Sequence, residues 1–169
     1  MIGRAALLAV LAAWTLSFAV AGQGAAAQSV LHLPNLVFHE AGHVIFSLFG
    51  QFMTVLGGSL LQVAVPLIIA GAFLRQGDRL GAVVGAWWAG QNLVDLAPYI
   101  ADARRLEMTL LGGRTGAEVE GHDWEYLLTE MGWLHLDQRL GTAAHIIGLT
   151  AMIAAVAYGT LLLLRARRA

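Results

Sequence analysis

Apolar residues in this chain gather into long unbroken runs, with little of the period-two alternation that marks half-buried strands. Residues 5–20 carry no charge, follow a single Arg4 and lead into a small-residue tract at 21–27. Further apolar segments cover 35–52, 54–74, 80–100 and 143–164. Runs of about 20 apolar residues are long enough to cross the hydrocarbon of a bilayer as helices. The pattern therefore predicts an all-α fold, a polytopic membrane helix bundle of four or five hydrophobic segments forming one domain over 1–169. Residues 1–27 admit two readings. The positive start, apolar run and Ala25-Ala26-Ala27 suit a cleavable signal peptide, whereas the length equally suits a retained first span.

The one extended polar region is a loop at about 104–141. Within it Trp124, Leu127, Leu128 and Met131 recur at helical spacing, which predicts an amphipathic helix over 124–133 with Asp123 as its N-cap, lying on the membrane surface.

Composition sharpens the class. The apolar fraction is 58%, charged residues make up 12% and the mean hydropathy is +0.68, far from the roughly 25% charge of soluble domains. A net charge of -1 offers nothing to nucleic acid, and no nucleic-acid role is expected. With no cysteine, any metal must be held by His, Asp or Glu. Arg165, Arg167 and Arg168 after the last segment, and Arg75 with Arg79 in a short connection, place those ends in the cytoplasm and the 104–141 loop outside. Arg4 also favours an inside N-terminus, so an even number of crossings results if the 35–52 segment is short or re-entrant.

That segment carries the chemistry. His39-Glu40-Ala41-Gly42-His43 is an HExxH motif with apolar flanks and no proline between 36 and 50. On a helix, His39 and His43 share a face one turn apart, so both imidazoles reach one ion, and Glu40 stands beside them as a general base. Ionisable groups at membrane depth are costly and, as a rule, functional. Catalytic zinc takes a third protein ligand. Asp95, Asp102 and His122 are the candidates, Asp95 lying deeper and about a turn before Pro98, and His122 reaching in from the outer loop with Asp123 beside it. Two weaker signals have ordinary explanations. Gly81 to Gly85 is a GxxxG spacing that permits close helix packing, and His32, His135 and His145 read as loop or packing residues.

The intramembrane HEAGH, the Gly57-Gly58 pair in the next segment, and Asn92, Pro98 and Asp102 in a later one together resemble the site-2-protease type of intramembrane zinc metallopeptidase. The resemblance covers residues 35–103, the expected catalytic core. It implies Zn2+ held by His39, His43 and Asp102, with Glu40 as base and Asn92 positioning the substrate backbone. Ala103 stands where the family pattern has glycine, and the Asn to Pro spacing is longer. A membrane protein or peptide is the implied substrate and the bacterial inner membrane the implied location. Two other functions fit the same residues. One is a zinc-holding membrane scaffold without catalysis, and the other a metal-ion transporter using His39, His43, Asp95 and His122 as a pathway.

Overall fold

The computed structural model describes residues 2–167; Arg168, part of the basic cluster expected from sequence to orient the last segment, lies outside them. Six helices follow in order: α1 (Ile2–Ala21), α2 (His32–Phe46), α3 (Gln51–Arg75), α4 (Arg79–Ala101), α5 (Asp123–Glu130) and α6 (Asp137–Ala166). Among the described residues there is no strand, only an isolated antiparallel bridge between Thr109 and Thr115. The fold is all-α, as the apolar runs predict. Three helices are long and apolar enough to cross a membrane, namely α1, α3 and the stretch Leu134–Ala166 that contains α6. Their outward residues, among them Leu16, Val20, Leu67, Ile68 and Ile147, are exposed and suited to lipid.

The other two helices of the 35–103 region depart from a simple span. α2 has 15 residues, a length of about 22 Å against a hydrocarbon thickness of about 30 Å, so the helix by itself is shorter than a span. Its outer residues Val37, Val44 and Ile45 are exposed and apolar, while Asn35, His39 and Gly42 are buried. α4, expected as a span, is as long as one but carries Gln91, Asn92 and Asp95, all buried within the bundle. It is the central helix, packed against α3 on one side and α6 on the other. Asp78 caps it by accepting from the amides of Leu80 and Gly81 at 3.1 and 3.0 Å.

Small residues bring these helices together. A Cβ on Gly90 would stand 2.7 Å from the Gly148 carbonyl oxygen, and one on Gly141 equally close to the Ala97 oxygen, so α4 and α6 nearly touch by their backbones. Gly85 of the GxxxG pair meets Ala70 of α3, so this small-residue face is occupied inside the chain. α1 packs on α6 and on α4: Leu8, Leu11 and Phe18 share a core with Val83, Trp87 and Met152, and the Trp87 indole donates to Thr15 Oγ1 at 2.8 Å.

The closest approach is between α2 and α3. A Cβ on Gly42 would lie 2.1 Å from the Gly57 oxygen, 2.6 Å from its carbonyl carbon and 2.9 Å from the Gly58 Cα. All three are backbone atoms with no rotamer to yield, so a methyl there must part the two helices. Gly42→Ala is expected to cost about 2–3 kcal/mol, the upper range for overpacking, seen as a lowered melting temperature in detergent; an unchanged melt would mean that α2 is not seated this way.

The 104–141 loop folds differently from its sequence pattern. α5 ends at Glu130, short of Trp133, because Gly132 takes a φ of +70° that breaks the helix. Its cap is His122, whose Nδ1 accepts the Glu125 amide at 3.1 Å; Asp123 does not cap because its carboxylate is drawn elsewhere. The apolar face is turned into the protein. Leu127 and Leu128 are fully buried, α5 packs on α3 and α4, and Trp124 donates from its indole to Ser59 Oγ at 3.2 Å.

Candidate metal centre

His39 and His43 project from successive turns of α2 toward α3, with ring centroids 4.8 Å apart. Each ring is held from behind. Nδ1 of His39 lies 2.9 Å from Gln62 Oε1, and Nδ1 of His43 lies 2.9 Å from the Thr54 carbonyl oxygen. A carbonyl oxygen can only accept, so the His43 proton sits on Nδ1. Gln62 donates through its Nε2 to Asp95, which fixes Oε1 toward His39 and gives that ring the same tautomer. In the neutral rings both Nε2 atoms then carry bare lone pairs.

Those lone pairs converge on a carboxylate. Asp123 Oδ2 stands 2.8 Å from His39 Nε2 and 3.3 Å from His43 Nε2. Three acceptors facing one another at this range repel unless a cation sits among them, either extra protons on the rings or a metal ion. Two imidazole nitrogens and a carboxylate oxygen are a usual donor set for catalytic zinc. Bonds of about 2.0–2.2 Å around a tetrahedral ion put neighbouring ligand atoms roughly 3.3–3.5 Å apart, near the longer of the two separations. Among the described residues, His39, His43 and Asp123 form the one His, Asp or Glu group arranged to hold a metal. Gly58 makes room for it: a Cβ there would fall 2.7 Å from both Nε2 atoms. The pair Gly57-Gly58 thus serves twice, the first glycine against Gly42 and the second beneath the histidines.

The loop brings Asp123 into place. Its backbone amide donates to the Tyr99 hydroxyl at 2.9 Å. Burial by itself would push the Asp123 carboxyl up, but with the rings carrying an extra proton on Nε2 in place of a metal ion, their hydrogen bonds and positive charge outweigh it and hold the group below the usual carboxylate range. Burial pushes the neighbouring His122 imidazole down, against the pull of Asp102.

The three residues considered from sequence as third ligand are placed otherwise. Asp102, at the end of α4, accepts the amides of Glu107 and Met108 at 3.1 and 2.9 Å and so turns the chain out of the helix. Its Oδ2 is 3.4 Å from His122 Nε2. His122, the cap of α5, therefore faces Asp102 and not the histidine pair. Asp95 is buried behind Gln62, where it accepts from His32 Nδ1, Asn35 Nδ2 and Gln62 Nε2, each at 3.1 Å. Asn92 is almost fully buried, donates to the Trp88 carbonyl and does not line the cleft described next. Sequence reading treated Asp123 as a cap and a partner for His122, and did not place it beside the histidine pair. The available signal was an acidic residue on a loop whose fold over the membrane helices no local pattern specifies.

A cleft of about 610 Å³ opens in front of this centre. Its walls include Glu40, His39, His43, Asp123, Tyr99 and the loop segments 108–112 and 119–121. Glu40 is exposed within it. The size is that of an ordinary small-ligand or short-peptide site. Comparison with known proteins finds no matching family model, curated protein or solved structure.

Proposed function

We propose that this chain is a zinc-dependent membrane metallopeptidase that hydrolyses peptide bonds in or near the bilayer, akin to the site-2-protease type. The observation that carries the reading is the convergence of His39 Nε2, His43 Nε2 and Asp123 Oδ2, with both imidazoles anchored through Nδ1. These residues fit Zn2+ as ligands, Asp123 taking the place that the sequence resemblance gives to Asp102. When bound, zinc supplies Lewis acidity, which polarises a carbonyl oxygen and makes water a nucleophile near neutral pH.

The chain's own groups do the rest. Glu40 lies next to the His39 ligand in sequence and faces the same cleft. It takes a proton from the attacking water and returns it to the leaving nitrogen. Tyr99 steadies the Asp123 backbone, and the loop at 108–112 covers one side of the cleft. The substrate is a membrane protein or peptide that enters as extended chain, because helical peptide bonds are shielded by their own hydrogen bonds. Placement of the centre on a helix shorter than a span, beside three spanning-length helices, favours a substrate presented from the membrane.

Elemental analysis of the detergent-purified chain tests the reading. Near one zinc per chain is expected, removed by a strong chelator and restored by added Zn2+. No zinc after reconstitution would end the metallopeptidase proposal and leave a helical scaffold as the better account.

A further inference from the structure

A buried polar chain runs back from the histidine pair through three helices. His39 Nδ1 meets Gln62 Oε1, and Gln62 Nε2 donates to Asp95 Oδ2. Gln62 and Asp95 are each only 3% exposed, so water does not compete for their hydrogen bonds. Gln62 lies one turn after Gly58 on α3, and so stands behind the ring whose front face Gly58 leaves open.

The two ends of a primary amide are alike in shape and opposite in hydrogen-bonding sense. What surrounds a buried amide therefore decides which end points where. The Asp95 carboxylate, with three side chains donating to it, is an acceptor and claims the NH2 end of Gln62. The oxygen end is left for His39, whose Nδ1 must then carry the proton. Nε2 keeps its lone pair. If the amide were reversed, Nδ1 would have to accept, the proton would move to Nε2, and the ring would have nothing to offer an ion.

We propose that Asp95 is a positioning residue for the metal centre: acting through Gln62, it sets the tautomer of His39 that leaves Nε2 free to bind zinc. The inference rests on the zinc centre proposed above. It gives Asp95 a role different from ligation, at one remove behind His39, and it treats His32 and Asn35 as the groups that keep the carboxylate in place.

Zinc affinity of the full chain in detergent, measured by competition with a chromogenic chelator, tests this directly. Asp95→Ala and Gln62→Ala are each expected to weaken binding by about 10- to 100-fold, the range seen when partners behind a ligating histidine are lost. In the Gln62→Ala background, Asp95→Ala is expected to add no further loss, because the path is already cut. The pair Asp95→Asn with Gln62→Glu should bind more tightly than either alanine variant. A carboxylate at 62 accepts from His39 whichever way it turns, and the amide at 95 can donate to its other oxygen.

Equal losses from Asp95→Ala in both backgrounds would show that Asp95 only supports packing and would overturn the relay. So would unchanged affinity in Asp95→Ala, or failure of the paired exchange to recover binding. An unaltered chain that takes up no zinc would overturn the centre itself, an outcome distinct from any of these.

Discussion

Replacing Asp123 with alanine is expected to empty the zinc site. Among the described residues the carboxylate is the only anionic group touching both Nε2 atoms, and without it two neutral imidazoles remain to hold a dication. If a ligand carries about a third of the ~10–16 kcal/mol typical of tight zinc sites, roughly 4 kcal/mol is lost, a fall in affinity of about 10³-fold. Asp102→Ala provides the contrast. Its carboxylate is engaged by the Glu107 and Met108 amides, so that variant should loosen the loop yet keep its metal. Zinc content measured side by side decides the matter. Metal retained in Asp123→Ala and absent in Asp102→Ala would return the ligand assignment to the one implied by sequence resemblance.

Glu40→Gln should separate binding from chemistry. Glutamine preserves the shape of the side chain but cannot take up a proton at neutral pH, and Glu40 is not among the three side chains, His39, His43 and Asp123, that converge on one another. The variant is expected to keep its zinc and to lose about 10²- to 10⁴-fold in turnover, the usual worth of a positioned general base. The measurement is chelator-sensitive cleavage of single-span reporter peptides in proteoliposomes. Cleavage at the unaltered rate with metal retained would remove Glu40 from the mechanism. The two substitutions thus report on different properties of one cleft: Asp123→Ala on whether it holds a metal, Glu40→Gln on what the bound metal is used for.

The outcome at particular residues shows how far local pattern reaches. His39 and His43 were legible because helical periodicity alone puts positions i and i+4 on one face, and α2 forms where the apolar flanks predict it. Gly57 and Gly58 stood out as a pair in sequence, but their purpose appears only when α3 is laid against α2: one glycine admits the Gly42 backbone and the other leaves space in front of two imidazoles. Asp95 needs partners, since a carboxylate in an apolar bundle is costly to bury alone. Those partners are His32, Asn35 and Gln62, from helices 33 to 63 residues away in the chain. His32, read from sequence as a loop or packing residue, is one of them.

By itself, then, the sequence determined the class of molecule and half of the candidate centre: hydrophobic runs of spanning length, an all-α bundle, a polar loop and the HExxH pair, each set by interactions within a few turns of one segment. Tertiary structure alone decided the rest. Asp123 reaches the histidines because the loop, secured by Asp102 at its start and by α5 docking at its end, folds back over α3 and α4. Such a contact joins residues 84 positions apart. No local periodicity encodes it, because it depends on how whole helices pack and not on the spacing within any one of them.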